Sequence, residues 1–251
     1  MKKVNIGIQL FSVREEIKEY GLDTVLSALK EAGCTAVEFA GFYDLPPMEM
    51  KAKMEKYELE PLAAHIHLAR FDEWLPYIDA LGIKMVYIPG YYIDKLRDEE
   101  GYKEYLEWVR RVKSELDKRG VRYGYHNHDR ELRGEDLLIK MANDVEGFTI
   151  ELDIFWAKAA GKDPVKLIKE YGDKLTALHI KDMDLRADPE KPTDFPNAII
   201  GEGQCDAEEC FRAAYEGGVD TYILEVEDYP CDYKEYVKKS IDNINAFAAK
   251  L

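Results

Sequence analysis

The sequence lacks any long apolar run. No stretch approaches the roughly 18 to 20 apolar residues that span a bilayer, so a membrane protein is not expected. A glycine-rich phosphate loop is also missing, because GIQLFSVR in the first apolar run contains no such turn. The four cysteines show no CxxC spacing, and MKKVNIGIQLFSV reaches polar residues too soon for a signal peptide. We therefore expect a cytoplasmic protein with reduced thiols.

Positive charge is also scarce. The chain has 35 Lys and Arg against 50 Asp and Glu, a formal net charge of -15. Such a surface repels the phosphate backbone of nucleic acids and the anionic face of membranes. The one mildly basic stretch, 110–122, is interrupted by acidic residues and is typical of the solvated face of an amphipathic helix. The composition therefore predicts neither a nucleic acid nor a membrane as partner.

What the sequence does have is a regular alternation of short apolar runs and charged segments with helical spacing. The apolar runs are 5–13, 35–41, 60–68, 84–90, 121–128, 148–156, 175–182 and 221–228. The segments that predict helices are 22–32, 47–57, 73–81, 99–118, 135–143, 164–171, 207–216 and 233–249. Strand then helix, eight times in 251 residues, predicts one (β/α)₈ TIM barrel as a single domain over residues 1–251. A doubly wound open sheet is the alternative, but its phosphate turn is absent.

All five histidines lie at or near the ends of these runs. Barrel enzymes carry their chemistry at the carboxyl ends of the strands, and strand residues two apart face the same side. Polar residues recur at that spacing in five pairs: His65 and His67, His126 and His128, Glu151 and Asp153, His179 and Lys181, and Glu225 and Glu227. Because mostly apolar residues separate the members of each pair, we expect the polar members to point into the barrel.

These polar groups predict a metal site. Carboxylates buried together raise one another's pKa unless a cation neutralises them. Asp153, His179 and Glu225 offer oxygen, nitrogen and oxygen ligands from neighbouring predicted strands, a set suited to one divalent ion such as Mn²⁺, Mg²⁺, Zn²⁺ or Co²⁺. The fourth ligand is expected from the fifth strand or the loop after it, where His126 and Glu131 are both candidates.

The segment 182–204, between the seventh and eighth runs, is rich in Asp, Pro and Gly. It predicts a long loop over the mouth of the barrel, with a lid or substrate-binding role, and a simple surface insertion is the alternative.

Seven motifs follow one another over nearly the whole chain: IGIQLFSVREE, AVEFAG, YHNHD with a Glu two residues later, ELDIFWA, LHIKD, GEG and ILEVED. In this order they resemble the sugar phosphate isomerase/epimerase family, whose members are xylose isomerase-like TIM barrels. The resemblance implies a metal held by an acid near the fifth strand, and by Asp153, His179 and Glu225. Epimerases of the family commonly carry a Glu within the fifth strand, where this chain has Gly124. The nearest acid is Glu131, which we predict as the remaining ligand.

The resemblance also implies an enzyme of carbohydrate metabolism. A divalent metal on a hydroxyketone acidifies the adjacent C–H, and proton removal gives an enediolate. Return of the proton to the neighbouring carbon isomerises the sugar, and its return to the opposite face of the same carbon epimerises it. Loss of a β-leaving group instead makes a lyase of the inosose dehydratase or 3-keto-glycoside eliminase type. The predicted bases are His126, Glu131 and Glu225.

The predicted substrate is a neutral sugar or cyclitol rather than a sugar phosphate, since few positive groups lie near the predicted mouth. The side chains expected to contact it are Gln9, Glu38, His65, His67, Trp156 and Lys181. Lys181 is predicted to stabilise an oxyanion or to neutralise Asp182. A non-catalytic sugar-binding barrel is a further alternative. The sequence also leaves open a homo-oligomer that pairs through the outer helices.

Overall fold

Eight parallel strands form a closed barrel in the computed structural model, which describes residues 3–184 and 196–251. The barrel strands are β1 Asn5–Gln9, β2 Ala36–Phe39, β3 Glu60–His65, β4 Met85–Ile88, β5 Arg122–His126, β6 Phe148–Asp153, β7 Leu175–Ile180 and β10 Thr221–Leu224. Each strand pairs with the next barrel strand along the chain, and β1 pairs with β10 to close the ring. The predicted (β/α)₈ barrel is confirmed.

Helices follow the strands on the outside of the barrel. They are α1 Arg14–Tyr20, α2 Leu22–Ala32, α3 Pro47–Tyr57, α4 Phe71–Leu81, α5 Ile93–Arg97, α6 Glu99–Asp117, α7 Leu137–Asp144, α8 Ile154–Ala159, α9 Pro164–Tyr171, α10 Ala207–Glu216 and α11 Tyr233–Ala248. Short 3₁₀ turns occupy Leu10–Val13, Leu68–Arg70 and Gly172–Lys174. Across the described ranges, no helix combines the length and the apolar character that crossing a membrane requires.

Four predicted helices, α2, α3, α9 and α10, match the structure at both ends. The helices α1, α5 and α8 were not predicted. The predicted strand over 148–156 was too long, because β6 ends at Asp153. The Asp153 side chain accepts a hydrogen bond from the Trp156 N–H at 3.1 Å and so caps the following helix, α8. In the same way β1 ends at Gln9, whose side-chain oxygen accepts from the Phe11 N–H at 3.1 Å.

The inside of the barrel has an apolar floor. Its buried side chains are Ala36, Leu62, Ala63, Met85, Tyr87, Ala177 and Ile223. The outward faces of the same strands pack under the helices in the main core. Since the floor fills the lower barrel, the buried carboxylates and imidazoles of the strands lie towards the carboxyl-terminal end, where the loops meet.

The loop after β7 is tied down at its base. A two-stranded antiparallel pair, β8 Asp182–Met183 and β9 Asn197–Ala198, joins its two ends. The buried Asp182 carboxylate accepts backbone N–H groups of Met183, Gly201, Gly203 and Cys205 at 2.9 to 3.1 Å. A Cβ on Gly203 would lie 2.3 Å from Asp182 Oδ1, so this close approach requires glycine. The tip of the loop, 185–195, lies outside the described residues, and its role as a lid stays a prediction.

Candidate active site

A layer of buried polar side chains lies directly above the apolar floor. Gln9 Nε2 donates to Glu38 Oε2 at 2.8 Å, and the same oxygen lies 2.6 Å from His179 Nε2. Glu151 Oε2 lies 2.7 Å from His65 Nε2 and 3.3 Å from His179 Nε2. Each of these carboxylates therefore has a histidine within hydrogen-bond distance. Burial opposes the charge on Glu151, but His179 and His65 hold its pKa well below the ordinary value. Burial and the nearby Glu151 instead raise the pKa of Glu38.

Three further groups meet His179 one step nearer the mouth, and we call the four residues the upper cluster: His126, Asp153, His179 and Glu225. One ligand atom of each lies within 4.8 Å of those of the others, and all four side chains are buried. His179 belongs to both layers, since its Nδ1 lies 2.9 Å from Glu225 Oε2 while its Nε2 faces Glu38. The strands β5, β6 and β7 and the end of β10 thus converge on one point.

The upper cluster fits a divalent cation. Asp153 Oδ1 accepts from the Trp156 N–H, but Oδ2 is buried and has no hydrogen-bond partner among residues 3–184 and 196–251. Burial, and then the nearby Glu225, raise the pKa of Asp153 to about 8, against the opposing effect of Lys181. A cation among two imidazoles and two carboxylates would satisfy the orphaned oxygen, and such nitrogen and oxygen sets suit Mn²⁺, Zn²⁺ or Co²⁺, with Mg²⁺ preferring the oxygens.

Electrostatics prepare the other members for the same role. Burial and the neighbouring His179 lower the pKa of His126 to about 3, so its imidazole is neutral and has a free lone pair at neutral pH. Burial opposes the charge on Glu225, but His179 holds the pKa of that carboxyl well below its ordinary value. Burial likewise disfavours the charged His179, yet Glu151 and Glu38 raise its pKa well above the usual range. A cation would take the place of that proton.

A second set of four, His65, His126, Glu151 and His179, also places its ligand atoms within 4.8 Å of one another. It shares two histidines with the upper cluster and lies deeper. Its carboxylate, Glu151, is already hydrogen-bonded to His65. Asp153 has no such histidine partner, which is why the upper cluster is the better candidate.

Two connected cavities open above the clusters. The inner cavity, about 250 Å³, is lined by His65, His126 and Glu225 together with Phe11, Ala40, His67, Pro89, His128 and Glu227. The outer cavity, about 690 Å³, extends over the loops after β3, β4, β5 and β6. His67, Pro89 and His128 line both cavities, so the two form one cleft.

The predicted substrate-binding residues divide between the cleft and the layer beneath it. His65 lines the inner cavity, Trp156 the outer one and His67 both. Gln9 and Glu38 are fully buried and line neither cavity.

Lys181 is also fully buried. Its Nζ lies 2.9 Å from Glu227 and over the rings of Phe155 and Trp156, at 4.4 and 4.7 Å from their centroids. The expected alternative of neutralising Asp182 is wrong, because backbone N–H groups surround that carboxylate. Lys181 lines neither cavity, and its ion pair with Glu227 connects it to the inner one.

Glu131 is placed apart from the upper cluster. It is 3% exposed, and its carboxylate accepts from the Tyr125 hydroxyl and the His128 N–H, each at 3.0 Å. It lines the outer cavity. The structure therefore brings together three of the four predicted ligands, and His126 occupies the position beside them.

Gly124 explains why β5 carries no acid at the position where epimerases of the resembled family commonly have one. A Cβ there would lie 2.2 Å from Thr149 O and 2.6 Å from Thr149 Oγ1 on β6. No side chain fits between these strands without moving the backbone. The next residue of β5 on the same side is His126.

Three residues that line the cleft, His128, Glu227 and Tyr92, were not predicted as bases or as substrate contacts. The first two belong to the predicted polar pairs, and their positions past the strand ends place them at the rim rather than inside. That spacing was a usable signal. Tyr92 follows β4 without any periodic pattern, and nothing in the sequence distinguished it from a solvated tyrosine.

Comparison with known proteins agrees with this architecture. Residues 6–247 match the family model of the xylose isomerase-like TIM barrel. Inosose dehydratase of Geobacillus kaustophilus strain HTA426 is 23% identical over 278 residues, which cover 90% of this chain and 88% of that protein.

Solved structures share the same fold. A sugar phosphate isomerase/epimerase from Parabacteroides distasonis ATCC 8503 has a TM-score of 0.79 at 23% identity, over 96% of this chain and 93% of that one. A xylose isomerase-like TIM barrel protein from Mycobacterium smegmatis in complex with magnesium has a TM-score of 0.77 at 12% identity, over 100% and 99%. The match along residues 6–247, carried by a closed eight-stranded barrel, shows that this chain belongs to the xylose isomerase-like TIM barrel family.

Proposed function

We propose that the protein is a divalent-metal-dependent sugar isomerase or epimerase that acts on a keto-sugar or related polyol through an enediolate. One observation carries the proposal: the upper cluster faces a cleft, and its Asp153 Oδ2 is buried without a hydrogen-bond partner in the described ranges. Relatives whose names denote an isomerase/epimerase and a dehydratase support chemistry at a carbon next to a carbonyl.

Asp153, His179, Glu225 and His126 would hold the cation. Bound there, it would polarise a substrate carbonyl and acidify the neighbouring C–H. We propose His126 in place of Glu131 as the fourth ligand, because Glu131 is already bonded to Tyr125 and to the backbone of His128.

The proton acceptor must reach the inner cavity and be unprotonated at neutral pH. We assign this role to His128, which lines the cavity and belongs to neither cluster. Burial lowers its pKa, so its imidazole is neutral. Glu225, predicted as a base, has a depressed pKa and is the weaker acceptor. The Glu227 carboxylate, held by Lys181, lies on the same cavity and can accept hydrogen bonds from substrate hydroxyls.

A lyase is the second candidate, and Gly124 is the observation that favours it. Epimerisation is served by two proton-transfer groups on opposite faces of one carbon, and in this chain β5 cannot carry the acid that epimerases of the family commonly have there. Elimination needs one base, which His128 would supply by taking the C–H proton, and the substrate's own β-substituent would leave through the open side of the cleft.

The test joins metal content to proton abstraction. Purified protein is loaded with Mn²⁺ or Mg²⁺, its metal is counted by mass spectrometry, and ketoses, inososes and 3-keto-glycosides are followed by proton NMR in D₂O. We expect about one metal per chain and loss of a substrate C–H signal, with the product distinguishing isomerase from lyase. Asp153→Ala and His179→Ala should lose the metal, whereas Asp173→Asn, on an exposed turn, should not. Retained metal and unchanged exchange in both site variants would refute the proposal.

A further inference from the structure

The cleft is larger than one sugar ring requires. The inner cavity of about 250 Å³ lies over the upper cluster, and it falls below the roughly 300 to 1,000 Å³ of pockets that hold drug-sized ligands. The outer cavity of about 690 Å³ lies well within that range. Because the two share lining residues, a ligand whose reacting ring fills the inner cavity has a continuous path into the outer one.

The outer cavity presents aromatic faces beside polar groups. Tyr92 is 72% exposed, and its ring lies edge-on to that of Tyr91 with 5.5 Å between centroids. Tyr91 in turn packs against the fully buried Tyr105 at 4.8 Å. Trp156 also lines the cavity, although its Nε1 is buried. Such flat apolar surfaces with hydrogen-bonding groups at their edges match a pyranose ring, which has an apolar C–H face and a polar rim.

The far wall of the outer cavity is held in place before any ligand binds. Arg97, from α5, donates to the backbone carbonyls of Arg130 and Arg133 at 3.0 and 2.5 Å. Glu131 fixes the same loop from inside through Tyr125 and the backbone of His128. A wall with these internal hydrogen bonds loses little conformational freedom on binding.

We infer that the outer cavity binds a second sugar ring joined to the reacting ring, so that the substrate is a glycoside larger than a monosaccharide. The inference rests on the proposed function, since the reacting ring is placed by the upper cluster. Tyr92 stacks on the second ring, Tyr91 supports Tyr92 from behind, and the Trp156 side chain contributes apolar surface to the cavity wall. If the reaction is an elimination, the second ring occupies the position of the leaving group.

The experiment compares matched ligands with one and two rings on the metal-loaded full chain. The first set is fructose with turanose and lactulose, and the second is 3-ketoglucose with cellobiose oxidised at the same carbon. Dissociation constants come from calorimetry, and C–H exchange comes from proton NMR in D₂O. We expect a two-ring ligand to bind about tenfold more tightly than its one-ring partner, the gain of about one stacked aromatic contact. Tyr92→Ala should remove most of that advantage without threatening the fold, because the side chain is exposed.

Trp108→Ala is the matched control, since Trp108 is an aromatic on α6 that is 45% exposed and lines neither cavity. It should leave the two-ring advantage unchanged. One-ring ligands that bind and exchange while two-ring ligands bind no better would overturn the inference and leave the proposed function standing. A two-ring preference that depends on Tyr92, with no exchange of any ligand, would keep the second-ring site and overturn the proposed function. An advantage that survives Tyr92→Ala would overturn the assignment of the outer cavity.

Discussion

Replacing Asp153 by Asn should change how the stability of the metal-free protein depends on pH. Asn keeps the size of the side chain and an oxygen that can accept from the Trp156 N–H, but it cannot ionise. In the native protein the pKa of Asp153 is raised from 3.8 to about 8. Between these values the native carboxyl holds a proton that the unfolded chain has released, so the free energy of unfolding falls as pH rises.

The magnitude follows from the size of the shift. One pH unit corresponds to about 1.4 kcal/mol, which gives at most about 4 kcal/mol between pH 5 and pH 8. Because the neighbouring charges share the titration, we expect the wild type to lose about 2 to 4 kcal/mol more than Asp153→Asn over this interval. Urea unfolding at several pH values, after treatment with a chelator, measures both curves.

Metal loading supplies the internal control. A bound cation replaces the proton on Asp153, so wild-type protein saturated with Mn²⁺ should lose the excess pH dependence. Its free energy of unfolding should rise with the logarithm of the ratio of metal concentration to dissociation constant. If the free energy of unfolding of metal-free wild type and of Asp153→Asn changed in parallel from pH 5 to pH 8, the pKa of Asp153 would not be raised in the native protein, and the reasoning would be refuted.

Three further predictions concern the supports of the site. Gly124→Ala should lower the free energy of unfolding by about 1 to 3 kcal/mol, because the added Cβ would clash with the β6 backbone. In Gly217→Ala the added Cβ would have only ordinary contacts at 3.4 Å, so the free energy of unfolding should change by no more than about 0.5 kcal/mol. Equal effects of the two substitutions in denaturant melts would contradict the steric account. Glu38→Gln should weaken metal binding by about 10- to 100-fold in calorimetry, since it orients His179, and the exposed Glu60→Gln should leave the affinity unchanged. Asp182→Asn should destabilise the base of the β7–α10 loop by about 1 to 3 kcal/mol, seen as faster hydrogen exchange of the backbone amides it holds; unchanged exchange would count against it.

The barrel was predictable because its signal is repeated. Eight apolar runs at similar spacing, each followed by a charged helical segment, leave few other arrangements. The upper cluster was largely predictable for a related reason. Asp153, His179 and Glu225 end neighbouring strands, and parallel strands of a closed barrel bring their carboxyl ends to one rim.

Other features depend on contacts that no local pattern encodes. The end of the run 148–156, Ile154 to Trp156, is apolar and aromatic, and a buried strand and a buried helix share that composition, so the start of α8 at Ile154 was missed. Glu131 follows the fifth strand at a distance suited to a ligand, but the turn of its loop aims the carboxylate at Tyr125. The steric block at Gly124 arises from the separation between two strands, which the sequence of neither strand reveals.

Asp153 accepts a hydrogen bond from the backbone N–H of Trp156, and the nearby indole ring of that residue gives the contact a spectroscopic consequence. Its carboxylate caps the helix in which Trp156 stands, and the Lys181 ammonium lies 4.7 Å from that ring. Any ion that binds Asp153 therefore changes the electric field on a chromophore one helical turn away. The chain has three tryptophans, and substitution of Trp74 and Trp108 by Phe would leave Trp156 as a single native fluorophore. Its emission maximum would then report occupancy of the cluster in real time, without an added dye or a known substrate.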